Sequence, residues 1–238
     1  MASVTVVTVT FNNAKGLERT LQSLALLNAK PLEIVVIDGG STDGTLNIIN
    51  FYQHKLPIRY LSESDDGIYD AMNKGKKLAC GNFIHYLNAG DFVYGEPYQE
   101  VDYVCRLPVK IIDEYKNIIG KGQIGISGFG YCHQGIIFPK NHPDYDLSFQ
   151  IAADFDLMIK VFPKGLSELP LNSSGGVVYD LCGVSSKRRI HRDIEIGKIL
   201  FLRRKFGRLF SFAVKASMKL LMPKAMRRAA RRILKGHS

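Results

Sequence analysis

Acidic residues stand just past three short apolar runs in the first hundred positions. Asp38 closes the run 32–37, Asp65 and Asp66 follow the run 58–61, and Asp91 follows the run 82–87. Carboxylates in loops at strand ends gather in one cleft without disturbing a core. Such a cluster repels itself unless something positive sits inside it. Mg²⁺ or Mn²⁺ is the natural filler, because hard cations prefer oxygen ligands and shared phosphates. Each acid alone also reads as a solvated turn former; the case for chemistry is that all of them occupy the same kind of position. Asp154 and Asp156 open a later helical pattern, where the helix dipole favours an acid. Two residues apart on a helix, they point in different directions.

The elements that must hold these acids are legible from periodicity. Residues 4–9 alternate Val with Thr, as a strand does. Asn12 and Asn13 offer helix caps, and Leu17, Leu21 and Leu24 follow at helical spacing. The run 32–37, interrupted only by Glu33, has the character of a strand covered on both faces. The small-residue loop Gly39-Gly40-Ser41-Thr42-Asp43-Gly44 comes next. Helical patterns at 45–53 and 67–79 then alternate with strand patterns at 58–61 and 82–87. This rhythm predicts an α/β domain with a mostly parallel, Rossmann-like sheet flanked by helices. Beyond Asp91 the pattern loosens. Strands are expected at 109–112, 123–126 and 135–138, a helix at 151–161, a loop at 173–176 and a late strand at 177–181.

The formal charge is +10, and its location says more than its size. From Lys187 onward there are 17 basic residues and two acids, whereas the 186 residues before it hold 15 basic and 20 acidic groups. The expected division is therefore a mildly acidic domain over 1–186 and a basic tail over 187–238. Such an asymmetry points to a tail that meets an anionic surface, lipid or nucleic acid. In the tail, Ile199, Leu202, Phe206, Leu209, Ala213 and Leu220 fall on one helical face, with Arg and Lys elsewhere, until Pro223 breaks the helix. A helix of this kind lies in a headgroup layer, and each basic residue near an anionic leaflet contributes roughly 1 kcal/mol. Cys80, Cys105, Cys132 and Cys182 include no C-x-x-C pair, so no zinc or redox site is signalled and reduced core thiols are expected. No secretory pattern opens the chain and no long uncharged apolar stretch occurs. The expected location is the cytoplasm, peripherally on the inner face of the cell membrane.

Several short motifs carry a more specific resemblance. Thr8-Val9-Thr10-Phe11-Asn12-Asn13, the run 36–45 (VIDGGSTDGT), the run 63–75 (ESDDGIYDAMNKG), Leu87-Asn88-Ala89-Gly90-Asp91, His133-Gln134-Gly135 and Ala153-Asp154-Phe155-Asp156-Leu157 follow one another in order. Together they resemble the family 2 glycosyltransferases of the GT-A fold, in particular a branch of short bacterial members, over roughly residues 3–185. The resemblance implies a nucleotide-sugar site in which Thr8 and Phe11 line the base pocket and Asp38 binds the base or ribose. It places Asp66, Asp70 and Asn73 along the nucleotide and its phosphates, with Tyr69 and Lys74 as further pocket candidates. Asp91 stands where the family's D-x-D motif ends and is the implied ligand of Mg²⁺ or Mn²⁺, although Asn88, Ala89 and Gly90 supply no earlier acid. Asp154 aligns with the family's general base, and His133 with a contact to the acceptor or the diphosphate.

The implied function is an inverting transfer of a sugar, most readily from a UDP-sugar, to a glycan or lipid-linked acceptor in bacterial surface polysaccharide synthesis. An acceptor hydroxyl is a poor nucleophile at neutral pH, so a positioned carboxylate must take its proton. A single base suffices for inversion, in keeping with one candidate in Asp154. Two other classes stand beside this one: a sugar-nucleotide-binding protein without catalysis, and a membrane- or nucleic-acid-binding protein acting through the tail. The acidic domain carries no nucleic-acid-binding motif, so no nucleic acid is expected as a partner.

Overall fold

In the computed structural model, which describes residues 3–113, 117–121, 132–180, 189–207 and 209–210, β1 (Val4–Thr10) runs through the middle of a six-stranded sheet. On one side it pairs in parallel with β2 (Glu33–Asp38), which pairs in parallel with β3 (Ile58–Ser62). On the other side it pairs in parallel with β4 (Phe83–Tyr86). Every residue of β1 and β2 is buried, which is why their sequences are dominated by Val and Ile rather than alternating with charge. The register sets Thr10 beside Asp38 and Asp38 beside Ser62, so three strands end at one edge. The chain order reverses between β1 and β4, the switch point where open α/β sheets bind ligands.

The helices between these strands divide over the two faces. α1 (Ala14–Ala25) and α2 (Thr45–Gln53) bury Leu17, Leu21, Leu24, Ile49 and Tyr52 in a core shared with Val4, Val6, Ile34 and Val36. α3 (Ile68–Leu78) packs on β1 and β2 through the opposite face, where Gly75 makes the approach possible. A Cβ there would fall 2.4 Å from Val7 Cγ1. Asn13 caps α1, accepting from the Gly16 N–H at 3.2 Å, as its position before the leucine pattern predicted.

The remainder of the domain adds strands that periodicity did not announce. A second sheet has the order β5-β10-β7-β8, with β5 at Phe92–Gly95, β7 at Val109–Ile112, β8 at Ile118–Lys121 and β10 at Gly175–Asp180. β6 (Cys105–Arg106) and β9 (Ile136–Pro139) extend the first sheet in antiparallel fashion beyond β4. β5, β6 and β8 were not expected, being two to four residues long with too few positions to show a period. The expected loop at 173–176 is also corrected, because β10 already begins at Gly175. Both glycines there are extended backbone pressed against neighbouring chain, a Cβ on Gly175 falling 2.5 Å from Pro97 N and one on Gly176 falling 2.4 Å from Pro108 O. The expected strand at 123–126 lies outside the described residues. The helix expected at 151–161 begins two residues later, as α4 (Ala153–Val161).

The chain divides into two compact units, residues 1–189 and 190–238. α5 (Arg189–Leu202) is the last helix with assigned bounds. The single helix expected to continue through Leu202 and Phe206 is interrupted. Arg204 adopts a left-handed conformation (φ 53°), and the N–H groups of Arg204 and Lys205 turn back to Phe201 O and Leu200 O. That pair of bonds is a helix-ending motif usually built on glycine, so an arginine there gave no warning. The break leaves Phe206 beyond the helix that carries Ile199 and Leu202; Ile199 is buried while Leu202 and Phe206 are exposed. Among the described residues, no helix is long and apolar enough to cross a membrane.

Candidate active site

The loop after β2 is organised by its own acid. Asp38 is fully buried, and its carboxylate accepts from the Ser41 hydroxyl, from the Ser41 N–H at 3.1 Å and from the Ser62 hydroxyl at 2.7 Å. Asp43 accepts from the Thr45 hydroxyl at 2.6 Å and from the Ala14 N–H at 2.9 Å, which ties the loop to the start of α1. Asn12, itself left-handed (φ 46°), completes the link by accepting from the Thr42 N–H and donating its own N–H to Ser41 Oγ. In this arrangement the Asp38 oxygens build the turn, with the Ser41 and Ser62 hydroxyls between them and the open end of the strands. Thr8 is likewise fully buried, its hydroxyl without a protein partner. Asn73 is occupied structurally, exchanging hydrogen bonds of 3.0 and 2.8 Å with the backbone of Tyr145.

Accessible at this end are Phe11 and the loop acids Asp65 and Asp66, of which Asp65 had no place in the nucleotide site the resemblance implies. Phe11 is 64% exposed at the end of β1. Asp65 Oδ2 lies 2.7 Å from the place where a Cβ on Gly39 would sit, and the Phe11 ring lies 3.2 Å from that same place. Asp65 thus fills the space that a side chain at Gly39 would take. Its other oxygen accepts from the Gly67 N–H at 2.9 Å. Asp66 is exposed on the same loop, its N–H donating to Asp70 Oδ2. Asp70 and Glu63 both pair with Lys74, at 3.2 and 2.9 Å.

A second cluster forms around a single turn of 3-10 helix, His133–Gly135. His133 Nδ1 lies 3.1 Å from Asp154 Oδ2, and the next residue, Gln134, donates its amide to Asp91 Oδ2 at 3.1 Å. Asp91 and Asp154, 63 positions apart, are thereby fastened to adjacent residues. Tyr69 from α3 reaches the other oxygen of Asp154 at 3.2 Å. Asp91 also accepts from the Asp180 N–H at 3.0 Å, and the Asp180 carboxylate pairs with Arg19 at 2.9 Å. Arg19 donates as well to the carbonyl of Gly90. Gln134, Asp180 and Arg19 carried no signal in the sequence. Gln134 sat in the motif His133-Gln134-Gly135 without a role, and Asp180 lay within the strand expected at 177–181. Asp156 does point away from Asp154, as expected, fully buried and 2.8 Å from Lys160.

The electrostatics separate the two acids of this cluster. Asp91 is only 5% exposed, and burial pushes its carboxyl up to about 7 against the help of the Asp180 N–H. Asp154 lies at the start of α4 with its side chain 28% exposed, the more accessible of the two. Each Asp91 oxygen keeps a lone pair beyond its N–H partner. It therefore fits a divalent ion as a single carboxylate ligand, with donor oxygens and water supplying the rest. Among the described residues no group of three or more His, Cys, Asp or Glu is arranged to hold a metal by itself.

The comparisons with known proteins agree with this architecture. The family model described as "Glycosyl transferase family 2" matches residues 5–101. A PGL/p-HBAD biosynthesis glycosyltransferase of Mycobacterium bovis is 30% identical over 176 residues, covering 64% of this chain and 67% of that protein. This chain belongs to glycosyltransferase family 2. A second relative of the transferase, the validoxylamine A glucosyltransferase of Streptomyces hygroscopicus, is 36% identical over 91 residues, covering 37% of this chain and 22% of that protein. Among solved structures, S. aureus TarS 1-349 in complex with UDP-GlcNAc has a TM-score of 0.65 at 18% identity, covering 94% of this chain and 77% of that one. The mannosyltransferase PcManGT of Pyrobaculum calidifontis, in complex with GDP-Man and Mn²⁺, has a TM-score of 0.60 at 15% identity, covering 98% and 79%. The transferase thus has the mostly parallel, helix-flanked sheet of the GT-A fold, and Asp91 and Asp154 are bonded to adjacent residues of one turn.

Proposed function

We propose that this glycosyltransferase moves a sugar from a nucleotide diphosphate, foremost a UDP-sugar, onto an acceptor hydroxyl with inversion, in the synthesis of a bacterial surface or lipid-linked glycan. The observation that carries the reading is the convergence of Asp91 and Asp154 on His133 and Gln134. Phe11 and Asp65 form the end that receives the base: an exposed ring for stacking and a carboxylate for a ring N–H. Asp154 takes the proton of the acceptor hydroxyl as that oxygen attacks the anomeric carbon. Asp91 would hold Mg²⁺ or Mn²⁺, which when bound neutralises charge on the departing diphosphate. Solved neighbours that carry UDP-GlcNAc, or GDP-Man with Mn²⁺, support a nucleotide-sugar donor and a divalent ion.

The decisive experiment offers the protein UDP-glucose, UDP-N-acetylglucosamine, GDP-mannose and TDP-rhamnose with Mn²⁺ and measures nucleotide diphosphate release. Release from one donor, abolished by chelator and by Asp154→Asn, is expected. Binding of a donor with no turnover under any condition would leave the protein a non-catalytic binder.

The tail supports a membrane contact through a face other than the expected one. On α5, Ile190 and Phe201 are 80% and 62% exposed and share a face with exposed Ile194, with Arg192, Lys198 and Arg203 nearby in sequence. An apolar stripe with basic neighbours suits the inner leaflet of an anionic membrane. Ile194→Glu with Phe201→Glu in the full chain should reduce co-sedimentation with phosphatidylserine vesicles at least tenfold; unchanged co-sedimentation removes this face as the contact.

A further inference from the structure

Asp154 is the accessible carboxylate of the second cluster, yet neither of its oxygens is loose. His133 Nδ1 stands 3.1 Å from Oδ2. The Tyr69 hydroxyl stands 3.2 Å from Oδ1, which also accepts from the Phe155 N–H at 2.8 Å. Both braces are buried, while the acid between them reaches solvent. They come from α3 and from the 3-10 turn, so three segments distant in sequence meet at one carboxylate.

The chemistry of each contact fixes its sense. A carboxylate only accepts, so the ring nitrogen facing it, Nδ1, carries a proton. Its Nε2 is sealed from solvent and, among the described residues, has no protein partner. A buried polar atom left unpaired costs about 1–3 kcal/mol, so this ring is retained at a cost in stability. The sealed nitrogen offers nothing to a substrate in this conformation. Tyr69 has one proton and two acceptors in reach, Asp154 Oδ1 and the Ile151 carbonyl at 2.8 Å. When Asp154 gains a proton, that hydroxyl donates to Ile151 and accepts from the new carboxylic acid. The Tyr69 contact therefore serves the base both before and after proton transfer.

We propose that His133 and Tyr69 are positioning residues of the base, His133 acting through Nδ1 on Asp154 rather than through contact with donor or acceptor. The proposal rests on Asp154 being the base. A carboxylate swinging by about 1 Å loses on the order of 100-fold in rate without losing substrate affinity, and holding it still is what the two buried donors do.

The test exploits the shape of the ring. An asparagine amide nitrogen falls near Nδ1 of the histidine it replaces, and a glutamine amide nitrogen falls near Nε2. Turnover of the panel's best donor, with water or an added glycan as acceptor, is measured for His133→Asn, His133→Gln, His133→Ala and Tyr69→Phe, with melting temperature checked for each. Expected are near-retention of kcat in His133→Asn, within about 5-fold, and losses of roughly 30- to 100-fold in His133→Gln and His133→Ala with KM for both substrates within twofold. Tyr69→Phe should lose about 5- to 10-fold in kcat. Adding His133→Gln to Asp154→Asn should cost nothing further. In ¹⁵N-histidine-labelled protein, without substrate, the His133 Nδ1 proton should resonate far downfield and move on Asp154→Asn. A reversed ranking, with Gln active and Asn dead, overturns the proposal in favour of an Nε2 contact to substrate. So does a rise in KM at unchanged kcat. Loss of activity in Asp154→Asn but full activity in both His133→Ala and Tyr69→Phe sinks only the bracing; full activity in Asp154→Asn sinks the base assignment itself.

Discussion

Two acidic clusters lie in this domain, and they use their carboxylates in opposite ways. Around Asp38 the partners close one loop on its neighbours: Ser41 within the loop, Ser62 at the end of the next strand, and Asp43 reaching Thr45 and the Ala14 N–H. The Asp38 carboxylate is buried and satisfied by hydroxyls and an N–H, and it sets the shape of a loop. Around Asp154 the partners come from positions 69 and 133, the carboxylate reaches solvent, and a buried ring nitrogen beside it stays unpaired. The buried carboxylate, bonded to hydroxyls and an N–H, shapes a loop; the braced carboxylate that reaches solvent is the one placed to take a proton.

This contrast breaks most sharply under substitution at the two acids. Asp154→Asn preserves shape and should cut kcat by about 10²- to 10⁴-fold while leaving the melting temperature within roughly 2 °C, as a surface-reaching isostere should. If turnover survives, the second cluster is structural like the first.

The second cluster also rests on buried neutral histidine. His85 donates its Nε2–H to the Gln134 carbonyl at 2.6 Å and accepts at Nδ1 from the Tyr98 hydroxyl at 2.7 Å, and burial lowers its pKa to about 4. His142, beside Tyr86, is lowered to about 4 by the same cause. A depressed folded pKa gives stability that is fully present above the unfolded value near 6.5 and is lost as pH falls through 4. Each histidine should thus withdraw up to about 3 kcal/mol between pH 6.5 and values below 4. His85→Gln should flatten the fall of melting temperature with acid; an unchanged slope would show that other groups set it.

The smallest expected effect tests the first cluster. Asp38→Ala leaves two hydroxyls and an N–H without their acceptor and should cost about 2 kcal/mol, or roughly 4–8 °C in melting temperature, as followed by calorimetry. With donor in excess, kcat of the folded variant should stay within about threefold, since Asp38 touches no reacting atom. A loss in kcat as large as that of Asp154→Asn would restore Asp38 to the chemistry and erase the distinction.

Much of the fold was written in local pattern. The Val and Ile runs of β1 and β2, the leucine spacing of α1, and the segments 45–53 and 109–112 are readable because burial on a regular element imposes a period on the chain. The short strands β5, β6 and β8 were not readable, since two to four residues cannot show one. In the site, the family motifs marked Asp91, His133 and Asp154, and with them the kind of enzyme. Which acids share a cleft is another matter. Periodicity reports what each residue does relative to its own helix or strand; it is silent on how segments pack. Only the tertiary structure could turn Asp38 inward to its serines, put Asp65 in the space beside Gly39, and set Tyr69 and His133 on either side of Asp154, because those contacts span 21 to 85 positions and depend on how the sheets and helices close on one another.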